Sequence, residues 1–247
     1  MTKNTLILVL TLFMAGLAQA EEPAAKPLER FTKNITIQQA TQIKIINHYG
    51  DIRIRKADDD QFIFHGVAQA QASQQVSLDV QQDKDLTVFT VQYSDPANTN
   101  QLDRFDLALV VPPLVALDIE IENGKLSTKG LGSAVRVRSD SADLQVKTSG
   151  PVDLYTKQGA IELSIKPVTS KIQSQIQTHQ GVVSVIFYDD LPRFEINTGS
   201  HVTSNSVPVL QSLSTQQRTA YYGDINNNHH LSVKTDTGQI SLIDLAH

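Results

Sequence analysis

The chain has 247 residues, a formal net charge of −5, and neither cysteine nor tryptophan. Hydrophobic residues make up 40% and charged residues 19%, the balance of a globular protein rather than a disordered one. The absence of cysteine excludes disulfide bonds, thiolate zinc sites, a catalytic thiol and lipid modification at an N-terminal cysteine. The acidic balance and the absence of a basic run argue against nucleic acid as a partner.

The first 20 residues have the pattern of a cleavable signal peptide. Lys3 supplies the positive start, Thr5–Leu17 is apolar, and Ala18-Gln19-Ala20 has the form of a cleavage site. The apolar stretch is shorter than the ~20 residues that a membrane-spanning helix needs, and no later stretch approaches that length. We therefore predict that residues 21–247 are exported as a soluble protein to the periplasm or the cell exterior.

The first part of the exported chain is predicted to be rich in β-strands. Residues 21–30, with Pro23 and Pro27, are typical of a flexible leader. Residues 31–115 then alternate apolar and polar side chains with period two, as half-buried strands do, up to the prolines at 112–113. Since no segment has the apolar stripe of an amphipathic helix, the sequence predicts an all-β protein.

Short strands repeat at regular spacing in residues 116–247. Four-residue runs begin at Val135, Leu144, Val152 and Ile161, and turn residues separate them. If one coil contains two strands, a 17-residue period places Val135 beneath Val152 and Leu144 beneath Ile161. Apolar residues then meet apolar residues on every inner position, as a dry core requires.

The same period pairs complementary polar residues on the outside, Arg136 with Asp153 and Gln145 with Glu162. The repeats therefore favour a parallel β-solenoid, similar to a single-stranded β-helix, that forms one continuous domain with residues 31–115. An antiparallel meander or sandwich is the alternative. The final segment, Gln239–His247, is expected to be the terminal coil.

Three features resemble the bacterial "putative adhesin" family of exported proteins. One is the early strand with a Gly-Asp corner at Asn47–Ile54, and another is the strand that runs into proline at Leu109–Pro112. The third is the repeated Gly-x-Ile-x-Leu pattern, as in Gly159–Leu163. This resemblance implies a β-solenoid fold and a location in the cell envelope. The family has no assigned function and supplies no functional residues.

The motifs of an enzyme or a metal site are absent from the sequence. The pair His229-His230 would point to opposite faces of a strand, which makes a poor chelate. Asp153 and Glu162, a conceivable pair for glycoside cleavage, fall on different strands of one coil. We expect no catalytic residue, no metal site and no cofactor.

These observations predict a non-enzymatic cell-envelope protein that uses the faces of a solenoid as an adhesin-like binding or structural module. The partner is expected to be an envelope protein or a polysaccharide. The outward-facing candidates for contact are Arg136, Arg138, Lys147, Asp153, Tyr155 and Glu162. The alternatives are a carbohydrate-active enzyme on a β-helix and an envelope assembly factor without a ligand.

Overall fold

The computed structural model describes ten segments of the chain, which contain nineteen β-strands and no helix. The segments are 28–34, 42–58, 62–69, 75–94, 103–166, 171–188, 193–205, 210–213, 218–222 and 229–245. The predicted signal peptide, residues 1–20, lies outside them. In these segments no stretch forms a helix that could cross a membrane.

The first nine strands lie between Leu28 and Thr148. They are β1 Leu28–Asn34, β2 Gln42–Tyr49, β3 Ile52–Lys56, β4 Ile63–Gln69, β5 Val76–Asp83, β6 Leu86–Tyr93, β7 Arg104–Val111, β8 Ala116–Lys129 and β9 Val135–Thr148. The others are β10 Val152–Gln158, β11 Ile161–Ile165, β12 Ile172–Gln180, β13 Val183–Phe187, β14 Arg193–Thr198, β15 Val202–Ser204, β16 Leu210–Leu213, β17 Arg218–Tyr222, β18 His229–Thr237 and β19 Ile240–Asp244. The protein is all-β, and most of its strand pairs are parallel.

The predicted 17-residue period is confirmed between β9 and the next two strands. The first half of β9 pairs with β10, which aligns Val135 with Val152, and the second half pairs with β11, which aligns Leu144 with Ile161. The polar pairs Arg136–Asp153 and Gln145–Glu162 are also in register. The period is not constant along the chain, since Leu154 aligns with Ile176, 22 residues later.

Each level of the structure consists of two strand segments, which meet at a corner wherever the residues between them are described. Eight such levels are present in the described residues, in the spatial order β6–β7, β2–β3, β8, β9, β10–β11, β12–β13, β18–β19 and β14–β15. The first segments of all levels stack on one another, and so do the second segments. We call the outward side of the first segments the first face and that of the second segments the second face.

The parallel stack begins before residue 116. Strands β2–β3 and β6–β7 belong to it and pair with β8 or with each other, so that levels formed by residues 31–115 and 116–247 share one hydrophobic core. Strand β1 begins at Leu28, inside the segment expected to be a flexible leader.

The expectation that Gln239–His247 forms the terminal coil is wrong. Ile240 of β19 aligns with Val183 on one side and with Val202 on the other, so β19 is an internal strand. Its inward side chains, Ile240 and Leu242, are buried, as an internal position requires. The outermost level is instead β14–β15, where β17 covers β14 in antiparallel fashion and β16 covers β17.

Antiparallel strands also cover the opposite end of the stack. There β6–β7 is the outermost level, β5 pairs antiparallel with β6, and β4 and β1 continue from β7. Antiparallel strands thus cover edges at which another chain could otherwise pair.

Glycines at the corners allow neighbouring levels to approach closely. Gly159 has φ +135°, and a Cβ there would lie 2.3 Å from the carbonyl oxygen of Ala142 in the level below. A Cβ at Gly181, with φ +153°, would lie 2.0 Å from the carbonyl oxygen of Gly159. The corner therefore requires glycine for two reasons: the backbone has a positive φ, and the neighbouring level leaves no room for a Cβ.

Buried hydroxyl groups support the same corners from inside. The Thr156 hydroxyl donates to the Gln158 carbonyl at 2.8 Å, and the Thr178 hydroxyl donates to the Gln180 carbonyl at 3.2 Å. In β9 the Ala142 N–H donates to the Ser139 hydroxyl oxygen at 2.8 Å. These bonds tie the buried side chains to the backbone at the corner, where the Gln180 carbonyl also accepts the Gly159 N–H at 3.2 Å.

Replacing Gly159 by alanine is expected to destabilise the fold by ~2 kcal/mol or more, because the added Cβ meets a backbone carbonyl at an unfavourable φ. Urea unfolding measures this loss. Gly132→Ala is the matched control, since a Cβ there has no neighbour closer than 3.8 Å. Equal stability of the two variants would contradict the proposed role of the corner.

His229 is expected to make stability depend on pH. The side chain is buried, and its Nε2 lies 3.2 Å from the Ser174 hydroxyl, whose oxygen already accepts the Val152 N–H. Burial, and next the charge of His230, lower the pKa of His229 below its ordinary 6.5. The unfolded chain therefore binds the proton first, so stability falls as pH drops below 6.5 towards the lowered pKa.

This pH dependence is measured by urea unfolding above and below pH 6.5. His229→Gln should remove part of the decrease, whereas His201→Gln, at an exposed position, should leave it unchanged. An identical decrease in wild type and His229→Gln would rule out His229 as its source.

Candidate functional site

The structure divides the six predicted contact residues between the two faces. The residues on the first face are Arg136, Arg138, Asp153 and Tyr155. Lys147 and Glu162 lie on the second face, because β9 turns at Ala142 and the chain turns again at Gly159. All six side chains are at least partly exposed, but they do not form one surface.

Asp153 is the centre of the polar network on the first face. Arg138 donates to its carboxylate through Nη2 and to its backbone carbonyl through Nη1, the latter at 3.0 Å. Gln175 Nε2 donates to the other carboxylate oxygen at 2.7 Å. Burial raises the pKa of Asp153, but the hydrogen bonds from Arg138 and Gln175 and the charges of Arg138 and Arg136 outweigh it, so this pKa lies below its ordinary value.

Ion pairs between neighbouring levels cover much of the first face. A carboxylate on one level approaches a basic group on the next, within 2.7 Å for Lys44–Glu120 and for Lys157–Asp140. Nearer the corners, imidazole nitrogens contact carboxylates of the next level in the hydrogen-bonded pairs His48–Glu122 and His179–Asp236. Regular stacking places these side chains opposite one another.

A groove crosses the first face between β2 and β12. One cavity of about 280 Å³ lies over β2, β8, β9 and β10, and a second of about 250 Å³ continues it towards β12. Arg138 and Tyr155 line both cavities. We call the two together the first-face groove. Its other outward-facing residues are Ile46, His48, Glu120, Glu122, Asp140, Asp153, Gln175 and Gln177.

Aromatic rings lie at the β2 end of this groove and at its centre, where the two cavities meet. Tyr155 contacts His179 edge to face, with ring centroids 5.9 Å apart. At the β2 end, His48 lies 6.2 Å from the ring of Tyr93, whose hydroxyl donates to the Tyr49 carbonyl. The groove therefore combines carboxylates, a guanidinium, amides and flanking rings in one extended depression.

The groove residues from the first half of the chain were not among the contact residues that the sequence predicted. Residue Ile46 lies beside Glu120 only because β2 pairs with β8, which follows it by more than 60 residues. A usable signal was present in the corner repeats. The signal is a polar residue three positions before a corner glycine, as in Asn47-x-x-Gly50, Thr156-x-x-Gly159 and Thr178-x-x-Gly181. The second residues of these motifs, which are His48, Lys157 and His179, lie in one outward row.

The geometry also separates the carboxylates considered for glycoside cleavage. Asp153 is on β10 and faces the first side, whereas Glu162 is on β11 and faces the second, so the two cannot flank one bond. Among the described residues, no three His, Asp or Glu side chains converge as metal ligands.

No protein-family model and no curated protein matches the sequence. The structure is similar to that of a "putative cell adhesion protein" from Clostridium sporogenes, with a TM-score of 0.52 and 10% identity over 88% of this chain and 100% of that chain. A "putative adhesin" from Bacteroides fragilis has a TM-score of 0.38 and 13% identity over 87% of this chain and 97% of the other. The resemblance to putative adhesins is thus confirmed at the level of the fold.

The Arg138–Asp153 pair is expected to contribute a coupling free energy of ~0.5–1 kcal/mol, a small value because both groups are partly exposed to solvent. A double-mutant cycle with Arg138→Gln and Asp153→Asn, followed by urea unfolding, measures it. The Lys157–Asp140 pair is the control and should show no measurable coupling, since both side chains are more than half exposed. Equal coupling in the two pairs would contradict this ranking.

Proposed function

We propose that this protein is an exported, non-enzymatic module of the cell envelope, a β-solenoid that binds an extended polar glycan along its first-face groove. The observation that carries the proposal is the groove itself, which holds Arg138, Tyr155 and four carboxylates, with the rings of His48 and His179 beside it. Export rests on the signal-peptide pattern of residues 1–20.

The direction of the groove favours a polymer over a compact ligand. It runs across successive strands, which lie ~4.8 Å apart, so the same kinds of polar group recur along its length. Carboxylates and amides accept and donate hydrogen bonds to hydroxyl groups, and a guanidinium donates several in one plane. Tyr155 adds an apolar surface with a polar tip, as ligand sites commonly use.

The solenoid interpretation is supported by eight stacked levels of parallel strands in the described residues. The shared fold with a "putative cell adhesion protein" supports a binding role over an enzymatic one. Repetitive stacks of this kind present long, regular surfaces to their partners.

A carbohydrate-active enzyme is the second candidate, favoured by the convergence of Glu120, Glu122 and Asp140 on one groove. An enzyme would release soluble sugar from envelope polysaccharide, whereas a binding module would only pellet with it. Incubation of residues 21–247 with isolated polysaccharide, followed by measurement of reducing ends, separates the two. Turnover that Glu120→Gln or Glu122→Gln abolishes would replace the binding proposal.

Residues 21–247 are expected to pellet saturably with one of three fractions: cell-wall sacculi, outer-membrane vesicles or whole cells. Tyr155→Ala should weaken this binding by about tenfold or more, because it removes the ring at the centre of the groove. Tyr188→Ala, which removes a tyrosine that follows β13, is the matched control and should bind as wild type does.

Wild-type binding that Tyr155→Ala leaves intact would refute the groove as the site. If the wild type pellets with no fraction, direct envelope binding is refuted, and an assembly factor without a ligand becomes the better description.

A further inference from the structure

Four basic side chains on the second face lack the pairing that characterises the first. Arg53 and Arg55 lie on β3, Lys129 on β8 and Lys147 on β9, and all four are exposed. Within the described segments, none of the four makes an ion pair or a side-chain hydrogen bond. On the first face, by contrast, Lys44, Arg136, Arg138 and Lys157 each approach a carboxylate.

The pairing register brings these cations together. Arg55 aligns with Lys129 across the β3–β8 pair, and Arg53 aligns with Ser127. The Lys147 N–H donates to the Thr128 hydroxyl at 3.1 Å, which places Lys147 beside Lys129 on the next level. Basic groups therefore occur on three consecutive levels of the stack.

A groove lies along this group of residues. Its cavity of about 320 Å³ is lined by Arg53, Arg55 and Lys129, and Ile63, His65 and Val110 form the side towards β4 and β7. Val110 aligns with both Arg55 and Ile63, so an apolar strip runs beside the cations. We call this depression, together with Lys147, the cationic groove.

The carboxylates nearest the cationic groove are engaged elsewhere or lie at its margins. Asp106 accepts from Arg104 at 2.6 Å, and Glu162 accepts from Gln145 at 3.0 Å. Asp58 follows the end of β3 and makes no ion pair with a described residue. Among the residues that the structure describes, no carboxylate therefore pairs with these four cations, although the chain as a whole has a net charge of −5.

Like charges on adjacent levels repel one another, and a bound anion relieves that repulsion. The guanidinium forks of Arg53 and Arg55 suit carboxylate and phosphate groups, which they can contact through two parallel hydrogen bonds. Strands ~4.8 Å apart and alternate residues ~6.8 Å apart offer several anion positions along one line. We propose that the cationic groove binds the carboxylate or phosphate groups of an extended anionic polymer.

A polymer fits this surface better than a membrane does. Binding to a bilayer surface through a basic patch usually adds apolar side chains that insert between lipids. The exposed large apolar residues of the described segments are Leu114, Val182 and Leu245, and none of them lines the cationic groove. The groove is also concave, which suits a chain that lies within it.

The test measures binding of residues 21–247 to fluorescently labelled polygalacturonate, which carries carboxylates, and to polyphosphate, with neutral dextran as the uncharged probe. Binding to at least one polyanion but not to dextran is expected, and it should weaken as salt is raised to about 0.15 M and beyond. The probe that binds more tightly identifies the preferred anion. The triple variant Arg53→Gln, Arg55→Gln, Lys129→Gln should bind at least about tenfold more weakly.

The control is Lys44→Gln, Lys157→Gln, Lys234→Gln, which removes the same formal charge from the first face and should retain most of the binding. Melting temperatures of both variants verify that each is folded. The proposal is overturned if the wild type binds neither polyanion at low salt, if dextran binds equally, or if the control variant loses as much affinity as the test variant. Preferential binding to anionic lipid vesicles would likewise overturn it in favour of a membrane surface.

Discussion

The structure depends on close contact between the backbones of successive levels at their corners. There the carbonyl oxygen of one level occupies the space that a Cβ would need on the next. The Gly50 carbonyl oxygen lies in this way against Gly124, and the Gly181 carbonyl oxygen against Gly238. This contact lets the strands on both sides of the corner keep their hydrogen bonds in register. Because a shift of one residue would turn every apolar side chain outward, the corner also maintains the core.

A fixed register determines the character of both outer faces. On the first face it places acidic and basic residues on adjacent levels, so that this surface is largely neutralised by its own ion pairs. On the second face the same register gathers Arg53, Arg55 and Lys129, and no carboxylate of the described segments pairs with them. One stacking rule therefore produces two surfaces with different chemistry, one with acidic and basic groups in pairs and one with a group of unpaired cations among the described residues.

The two ends of the stack differ from its middle in how the order of the levels follows the order of the chain. Between β8 and β13 the levels succeed one another in chain order, but at each end the outermost level is inserted out of order and covered by antiparallel strands. As a result β2–β3 and β18–β19 are internal levels with both sides paired. This arrangement covers the edges of the outermost strands and brings distant parts of the chain into the same hydrophobic core.

The sequence by itself determined the all-β class, the outward positions and the local register from Val135 to Leu163, because period-two alternation and adjacent repeats are local properties. It could not determine which repeats are neighbours when a long excursion separates them, as with Ile46 and Glu120, since many registers satisfy the same alternation. Only the tertiary structure decided that β2 and β3 extend the two faces beside β8 and that β19 is internal. Those facts depend on how the chain bends at its corners and on which edges remain free to pair, and neither is encoded in a short stretch of residues.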